Sequence, residues 1–217
     1  MIRFDDVTKI YHARGVNKCV MDHQSFTIER GQSIGVVGVN GAGKSTLTRM
    51  MAGIEYPTSG TITREMSVSW PLGFGGAFQA SLTGADNTRF IARIYGRPID
   101  EMLEYVNNFA RLGHYFDAPV KTYSSGMSSR LAFAVSLAIK FDCYLVDEVT
   151  AVGDQSFRTQ CREALMERRE HGSLIMVSHD PNTLREYCDS GAILCNGRLT
   201  FYDTLEDAIT ASHKLYQ

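Results

Sequence analysis

The octet Gly38-Val39-Asn40-Gly41-Ala42-Gly43-Lys44-Ser45 gathers the residue types that hold a phosphate. It fits the pattern GxxxxGK[ST]: glycines let backbone N–H groups turn toward an anion, the lysine adds a point charge, and the hydroxyl can reach Mg²⁺. The apolar run Ser33-Ile34-Gly35-Val36-Val37 before it reads as a buried strand, and Thr46 onward reads as a helix. The helix N-terminus then favours the β- and γ-phosphates of a nucleotide. A second segment, Phe141-Asp142-Cys143-Tyr144-Leu145-Val146-Asp147-Glu148, is an apolar strand ending in two carboxylates. In a parallel sheet such a strand delivers its end to the edge beside the phosphate loop. Asp147 is then placed to hold Mg²⁺ and Glu148 to orient and deprotonate an attacking water. These two segments alone fit a kinase or a GTPase as well as a hydrolase.

The elements that must carry these groups alternate between strand and helix, with one interruption. Ile2, Phe4, Phe26 and Ile28 mark edge β-structure with short hairpins over residues 1–30. After the phosphate loop, Leu47, Met50, Met51 and Ile54 fall on one helical face, which Gly53 and the turn Tyr56-Pro57-Thr58-Ser59-Gly60 bring to an end. From Asp86 to about Gly113 the pattern is helical. Phe90, Ile91, Ile94 and Tyr95 form one stripe, and Ile99, Leu103, Val106 and Ala110 another. A further helix is expected from Gly126 to Ile139. The alternation resumes with a strand over 143–146, a helix over 157–170 and a strand over 174–177. Asn196-Gly197 predicts a type I′ hairpin turn, and Thr204-Leu205-Glu206-Asp207 a capping box for a last helix.

Composition narrows the classes. Of 217 residues, 44% are apolar, enough for a sizeable core. Lys plus Arg number 22 against 24 Asp plus Glu, for a formal charge of −2, which argues against a nucleic-acid partner. The five cysteines are scattered without a CxxC pair, as in a protein whose thiols stay reduced in the cytoplasm. The N-terminus carries charges at once and is no signal peptide. The long uncharged stretch from Met66 to Ala85 is too rich in glycine for a membrane helix. Its large apolar residues, Trp70, Leu72, Phe74, Phe78 and Leu82, have two readings: core, or a groove for a helix of a membrane partner.

The long span between Lys44 and Asp147 holds the helical block, and before its last helix stands Tyr123-Ser124-Ser125-Gly126-Met127. Alone, that segment reads as a Ser/Gly-rich helix cap. Its place ahead of Asp147 makes it resemble the LSGGQ signature of ABC ATPases, with Tyr for Leu, Ser for the first Gly and Met for Gln. Other elements follow in that family's order. Tyr11 stands where the family has an aromatic that stacks on adenine. Gln79 stands at the Q-loop, which touches Mg²⁺ and senses the transmembrane partner. Asp154 stands in the D-loop, and His179 where the family's switch histidine contacts the γ-phosphate. Finer features are similar to capsular polysaccharide exporters: YSSGM, Ala151-Val152-Gly153-Asp154, Trp70-Pro71 ahead of Gln79, Val149 after Asp147-Glu148, and the short length.

The resemblance implies an α/β fold: a RecA-like P-loop domain with an N-terminal antiparallel β-subdomain and an inserted helical subdomain at about 80–135, all within one nucleotide-binding domain of residues 1–217. It implies ATP and Mg²⁺ as cofactors and a homodimer in which Ser124, Ser125 and Gly126 act in trans. Glu148, His179 and Gln79 would serve catalysis; Ser45, Gln79 and Asp147 the metal; Tyr11 and residues 38–46 the nucleotide. An integral membrane permease would hold the chain at the cytoplasmic face of the inner membrane, with periplasmic and outer-membrane export proteins as further partners. The chain ends soon after its last helix, so the glycan is expected to be handled by the permease. Export of another lipid-linked polymer, such as O-antigen or teichoic acid, is the alternative.

Overall fold

The structure, a computed structural model, describes every residue except 14, 74–77, 148–153 and 216–217. Expectations that fall on Glu148, Val149, Ala151, Val152, Gly153 and Phe74 lie outside the described residues. The chain divides into two compact units, Met1–Pro71 with Phe141–Glu148 and Met166–Gln217, and Leu72–Lys140 with Val149–Leu165.

The first unit holds two sheets. Strands β1 (Ile2–Ala13) and β2 (Val16–Ile28) form one long antiparallel hairpin, not the short ones expected, and β4 (Ser59–Arg64) adds to the other side of β1. Irregular register after Phe4, Val7 and Lys9 breaks the alternation that sequence would otherwise reveal. The second sheet takes β3 (Ser33–Val37), β5 (Val68–Pro71), β6 (Cys143–Asp147), β7 (Ser173–Val177), β8 (Ser190–Cys195) and β9 (Arg198–Tyr202) in the order β5-β6-β7-β3-β8-β9. Its pairings are parallel except for the β8–β9 hairpin. The turn of that hairpin is the expected Asn196-Gly197, with φ of 47° and 77°.

Helix α1 (Lys44–Met51) follows β3, and its Leu47, Met50 and Met51 are fully buried in one cluster with Ile2, Phe4 and Ile28 of the first sheet and Val36, Leu145 and Ile175 of the second. This cluster fixes the height of the phosphate loop. Ile54, expected on the same face, instead lies past the helix end and is exposed, because the helix stops at Ala52–Gly53. Helices α6 (Pro181–Tyr187) and α7 (Leu205–Leu215) complete this unit. Thr204 caps α7, its hydroxyl accepting from the Asp207 amide at 3.2 Å.

The second unit contains α2 (Gly84–Ile94), α3 (Ile99–Ala110), α4 (Ser125–Ala138) and most of α5 (Gln155–His171). Helix α4 is apolar nearly all round, with Leu131 through Leu137 buried, as suits a central helix. Phe109 of α3 lies against Phe133 and Phe157, ring centroids 6.4 and 5.7 Å away. The stripe read on α2 is only partly core: Ile91 is buried, whereas Phe90, Ile94 and Tyr95 are exposed. Among the described residues, no helix is long and apolar enough to cross a membrane.

Candidate nucleotide site

The phosphate loop runs from the end of β3 to the start of α1, and its glycines are demanded by space. A Cβ on Gly38 would stand 2.6 Å from the Leu194 carbonyl oxygen. Gly43 has φ of 107°, and a Cβ there would meet the Val20 Cβ at 2.9 Å. As N-cap of α1, Gly43 offers no side chain to the first amides of the helix, which stay available to an anion. The Lys44 ammonium is buried and donates to the carbonyls of Gly38, at 2.7 Å, and Val39, at 3.2 Å. The loop turns back on itself through the Ala42 amide, which donates to the Val39 carbonyl at 3.1 Å.

Beside this loop opens a cavity of about 490 Å³ lined by Tyr11, Lys18, Val20, Asn40, Gly41, Lys44, Ser45, Thr46 and Asp147 among others. The structure therefore brings together, in one unit, the loop, the carboxylate at the end of β6 and the aromatic of β1. Its volume falls in the range usual for small-ligand sites. The Ser45 hydroxyl and the Asp147 carboxylate are hard oxygen donors of the kind Mg²⁺ takes, so the residues present fit that ion. A smaller cavity of about 160 Å³ joins His179 and Ser178 to Val37, Gly38 and Val39 at the root of the loop. His179 is held there because Asp180 caps α6. The Asp180 carboxylate accepts from the amides of Asn182 and Thr183, both at 3.1 Å, and from the Thr183 hydroxyl at 2.7 Å. The Thr183 hydroxyl and those amides hold the Asp180 carboxyl below its ordinary range.

Tyr11 is about one-third exposed. Its hydroxyl donates to Glu55 and meets the Thr46 hydroxyl at 3.1 Å. Burial would raise the Glu55 carboxyl, but the Tyr11 hydroxyl, Lys9 and Arg49 bring it down to about 2. Lys18, the direct cross-strand neighbour of Tyr11, faces the loop, its ammonium 3.3 Å from where a Gly41 Cβ would be. Sequence reasoning missed Lys18, Val20, Glu55, Lys9 and Arg49. The strand pairing of β1 with β2 could have flagged Lys18, but the bulges hide that register.

The remaining expected residues lie in the second unit. The Gln79 main chain is pinned by Asn87, which accepts from the Gln79 amide at 2.8 Å and donates to its carbonyl at 3.1 Å. Its side chain donates to the Ser81 hydroxyl at 3.2 Å. Ser124 is the N-cap of α4, its hydroxyl accepting from the Met127 amide at 3.2 Å; Ser125 follows as the first helical residue. A Cβ on Gly126 would meet nothing nearer than the Ser124 hydroxyl at 3.9 Å. Asp154 caps α5 through the Phe157 amide at 2.9 Å and pairs with Arg130 at 2.7 Å, contacts that hold its carboxyl below the ordinary range.

The sequence profile described as ABC transporter matches residues 21–151. The chain belongs to the ABC transporter family. Among relatives of this ABC protein, the capsule polysaccharide export ATP-binding protein CtrD of Neisseria meningitidis serogroup B is 50% identical over 208 residues, 96% of each chain. The polysialic acid transport ATP-binding protein KpsT of Escherichia coli is 45% identical over 220 residues, covering 100% of this chain and 98% of that protein. Among solved structures, a dimeric post-hydrolysis state of the ATP-binding cassette MJ0796 bound to ADP and Pi superposes with a TM-score of 0.78. It covers 93% of this chain and 98% of its own, at 18% identity. That likeness establishes the fold: the ABC cassette, with its RecA-like mostly parallel sheet and its antiparallel sheet.

Proposed function

We propose that this chain is the ATP-binding and ATP-hydrolysing subunit of an ABC transporter that exports capsular polysaccharide across a bacterial inner membrane. The observation that carries the reading is the similarity to CtrD, a capsule export protein, along nearly the whole of both chains. The cavity joining Lys44, Ser45, Thr46 and Asp147 supports the chemistry.

In this reading the whole chain is one nucleotide-binding domain with a helical subdomain inserted at about 80–135. Tyr11 stacks the adenine, while Gly38 to Thr46 and the Lys44 ammonium hold the phosphates. Ser45, Asp147 and Gln79 would hold Mg²⁺, which would supply charge that neutralises the phosphates. Glu148 takes the proton of the attacking water, and His179 contacts the γ-phosphate from its place beside Gly38. Ser124, Ser125 and Gly126 complete the site of a second copy, so the ATPase is a homodimer that closes on ATP and reopens on hydrolysis. A permease subunit binds it at the cytoplasmic face, with the exposed Leu82 and the half-buried Phe78 beside Gln79 as contact residues. Periplasmic and outer-membrane export proteins continue the path, and no nucleic acid takes part.

The test is reconstitution of the chain with its permease in vesicles, measuring ATP-dependent movement of capsular polysaccharide. Transport that Lys44→Ala abolishes is the expected result. A complex that hydrolyses ATP yet moves no glycan overturns the polysaccharide reading. Phosphate appearing on an acceptor other than water overturns the hydrolase.

A further inference from the structure

Glu55 belongs to no nucleotide-binding motif, yet its carboxylate is the hub of the polar groups behind the Tyr11 ring. One oxygen accepts from the Tyr11 hydroxyl and from the Lys9 ammonium, the latter at 2.9 Å; the other accepts from Arg49 Nε at 3.0 Å. Lys9 also donates to the Tyr56 carbonyl at 2.8 Å. With its one proton given to Glu55, the phenolic oxygen is left as an acceptor. It takes the Thr46 hydroxyl at 3.1 Å and Arg49 Nη2 at 3.4 Å, and Arg49 in turn donates to Thr46 Oγ1 at 3.3 Å. The Lys9 ammonium lies over the ring, 5.1 Å from its centroid, so one face of the ring is occupied by a cation.

The chain supplies these groups from separate places. Tyr11 and Lys9 come from β1, Thr46 and Arg49 from α1, and Glu55 from the turn after α1. Thr46 is also a wall of the phosphate cavity. The network therefore ties an exposed strand aromatic to the helix that begins at the phosphate loop. A tyrosine of this exposure would otherwise change rotamer freely, and a stacked ligand would have to freeze it. The hub also stays charged at any working pH, since its partners bring the Glu55 carboxyl down to about 2.

We propose that Glu55 is a positioning residue for nucleotide binding: it locks the Tyr11 ring against Thr46, so that a purine base stacks on the ring face opposite Lys9 while the loop holds the phosphates. This rests on the reading of Tyr11 as the base platform. A positioning role predicts a loss confined to the base. Glu55→Ala weakens ATP binding about tenfold, the scale of one base-aromatic stack. Binding of inorganic triphosphate, which has no base, is unchanged. Tyr11→Phe, which keeps the ring but frees it from Glu55, shows the same selective loss and leaves every loop residue in place.

The experiment is calorimetric titration of the full chain with Mg-ATP and with Mg-triphosphate, for wild type, Glu55→Ala, Glu55→Gln, Tyr11→Phe and Tyr11→Ala. Glu55→Ala added to Tyr11→Ala is expected to cost nothing further. Wild-type ATP affinity in Tyr11→Phe and the Glu55 variants, with Tyr11→Ala impaired, overturns the positioning role alone. Equal loss for ATP and triphosphate overturns it too, because it shows general damage to the loop. Unchanged affinity in Tyr11→Ala overturns the base platform and the inference together.

Discussion

Helices α1 and α4 both begin in short segments of serine and glycine, but their first turns are finished differently. At α1 the N-cap is Gly43, which has no side chain to place on the helix amides. At α4 Ser124 folds its own hydroxyl onto the Met127 amide, and a Cβ on the half-buried Gly126 would meet only that hydroxyl, in ordinary contact at 3.9 Å. The first start is a concave anion site within one chain, with Lys44, Ser45 and Asp147 lining the same cavity. The second is capped by its own serine and leaves room for a side chain at Gly126. An uncapped start invites a ligand of its own; a capped start with an open glycine suits one presented by another copy.

Four tests probe this contrast, beginning with the largest effect. Glu148→Gln keeps size and hydrogen bonding but cannot take a proton, so steady-state hydrolysis should fall by roughly 10²–10⁴-fold. ATP binding should persist, and near-normal turnover would remove Glu148 from the role of base. Gly126→Asp should leave ATP affinity of the monomer intact while abolishing dimer closure and hydrolysis, measured by light scattering and phosphate release. Mixed with Lys44→Ala, it should leave at most one composite site; a loss of monomer affinity would show that the α4 start acts within its own chain.

The third comparison uses alanine at both glycines. Gly43→Ala forces a side chain into left-handed backbone against Val20 and should cost about 1–3 kcal/mol of stability. Gly126→Ala, with room around it and helical backbone, should unfold at or slightly above the wild-type temperature, because alanine narrows the unfolded chain. Equal costs would erase the distinction drawn from the glycine environments. The last test is Ser124→Ala, expected to lower stability by about 1 kcal/mol through the lost cap. Denaturant titration reads it, and no change would mean that water replaces the hydroxyl fully.

How legible was this in the sequence? The phosphate loop and the strand ending at Asp147 were readable because a glycine-rich turn between a buried strand and a helix is a local pattern. So were the Asn196-Gly197 hairpin and the Thr204 cap, each decided by a few adjacent residues. The short edge strand β5 was missed, since Val68-Ser69-Trp70-Pro71 is only four residues long and buries Ser69 and Pro71 rather than its apolar Val68 and Trp70. Helix α6 was missed because only Leu184 and Tyr187 of its seven residues are buried. The uncharged stretch offered core and groove with no local means of choosing: Leu72 is fully buried, whereas Leu82 is exposed. The polar network around Glu55 was invisible for a different reason. Its members are joined by the register of β1 and the fall of the turn after α1, which no short window of sequence contains.

The edges of the six-stranded sheet carry one more consequence. At one edge β5 ends in Pro71, which has no N–H to offer a newcomer. At the other edge, β9, the Leu199 amide is taken by the Gln24 side chain at 2.9 Å, and the Phe26 ring of β2 lies 5.3 Å from that of Phe201. The Asp22 amide also donates to the Gly197 carbonyl at 2.9 Å, fastening β2 to the β8–β9 turn. The N-terminal hairpin thus guards the chain against edge-to-edge polymerisation, the hazard of any open sheet. Self-association is thereby steered away from strand addition. On the proposed function, in which two copies close on ATP and reopen at each turnover, this shielding keeps the repeated encounter from ending in strand addition.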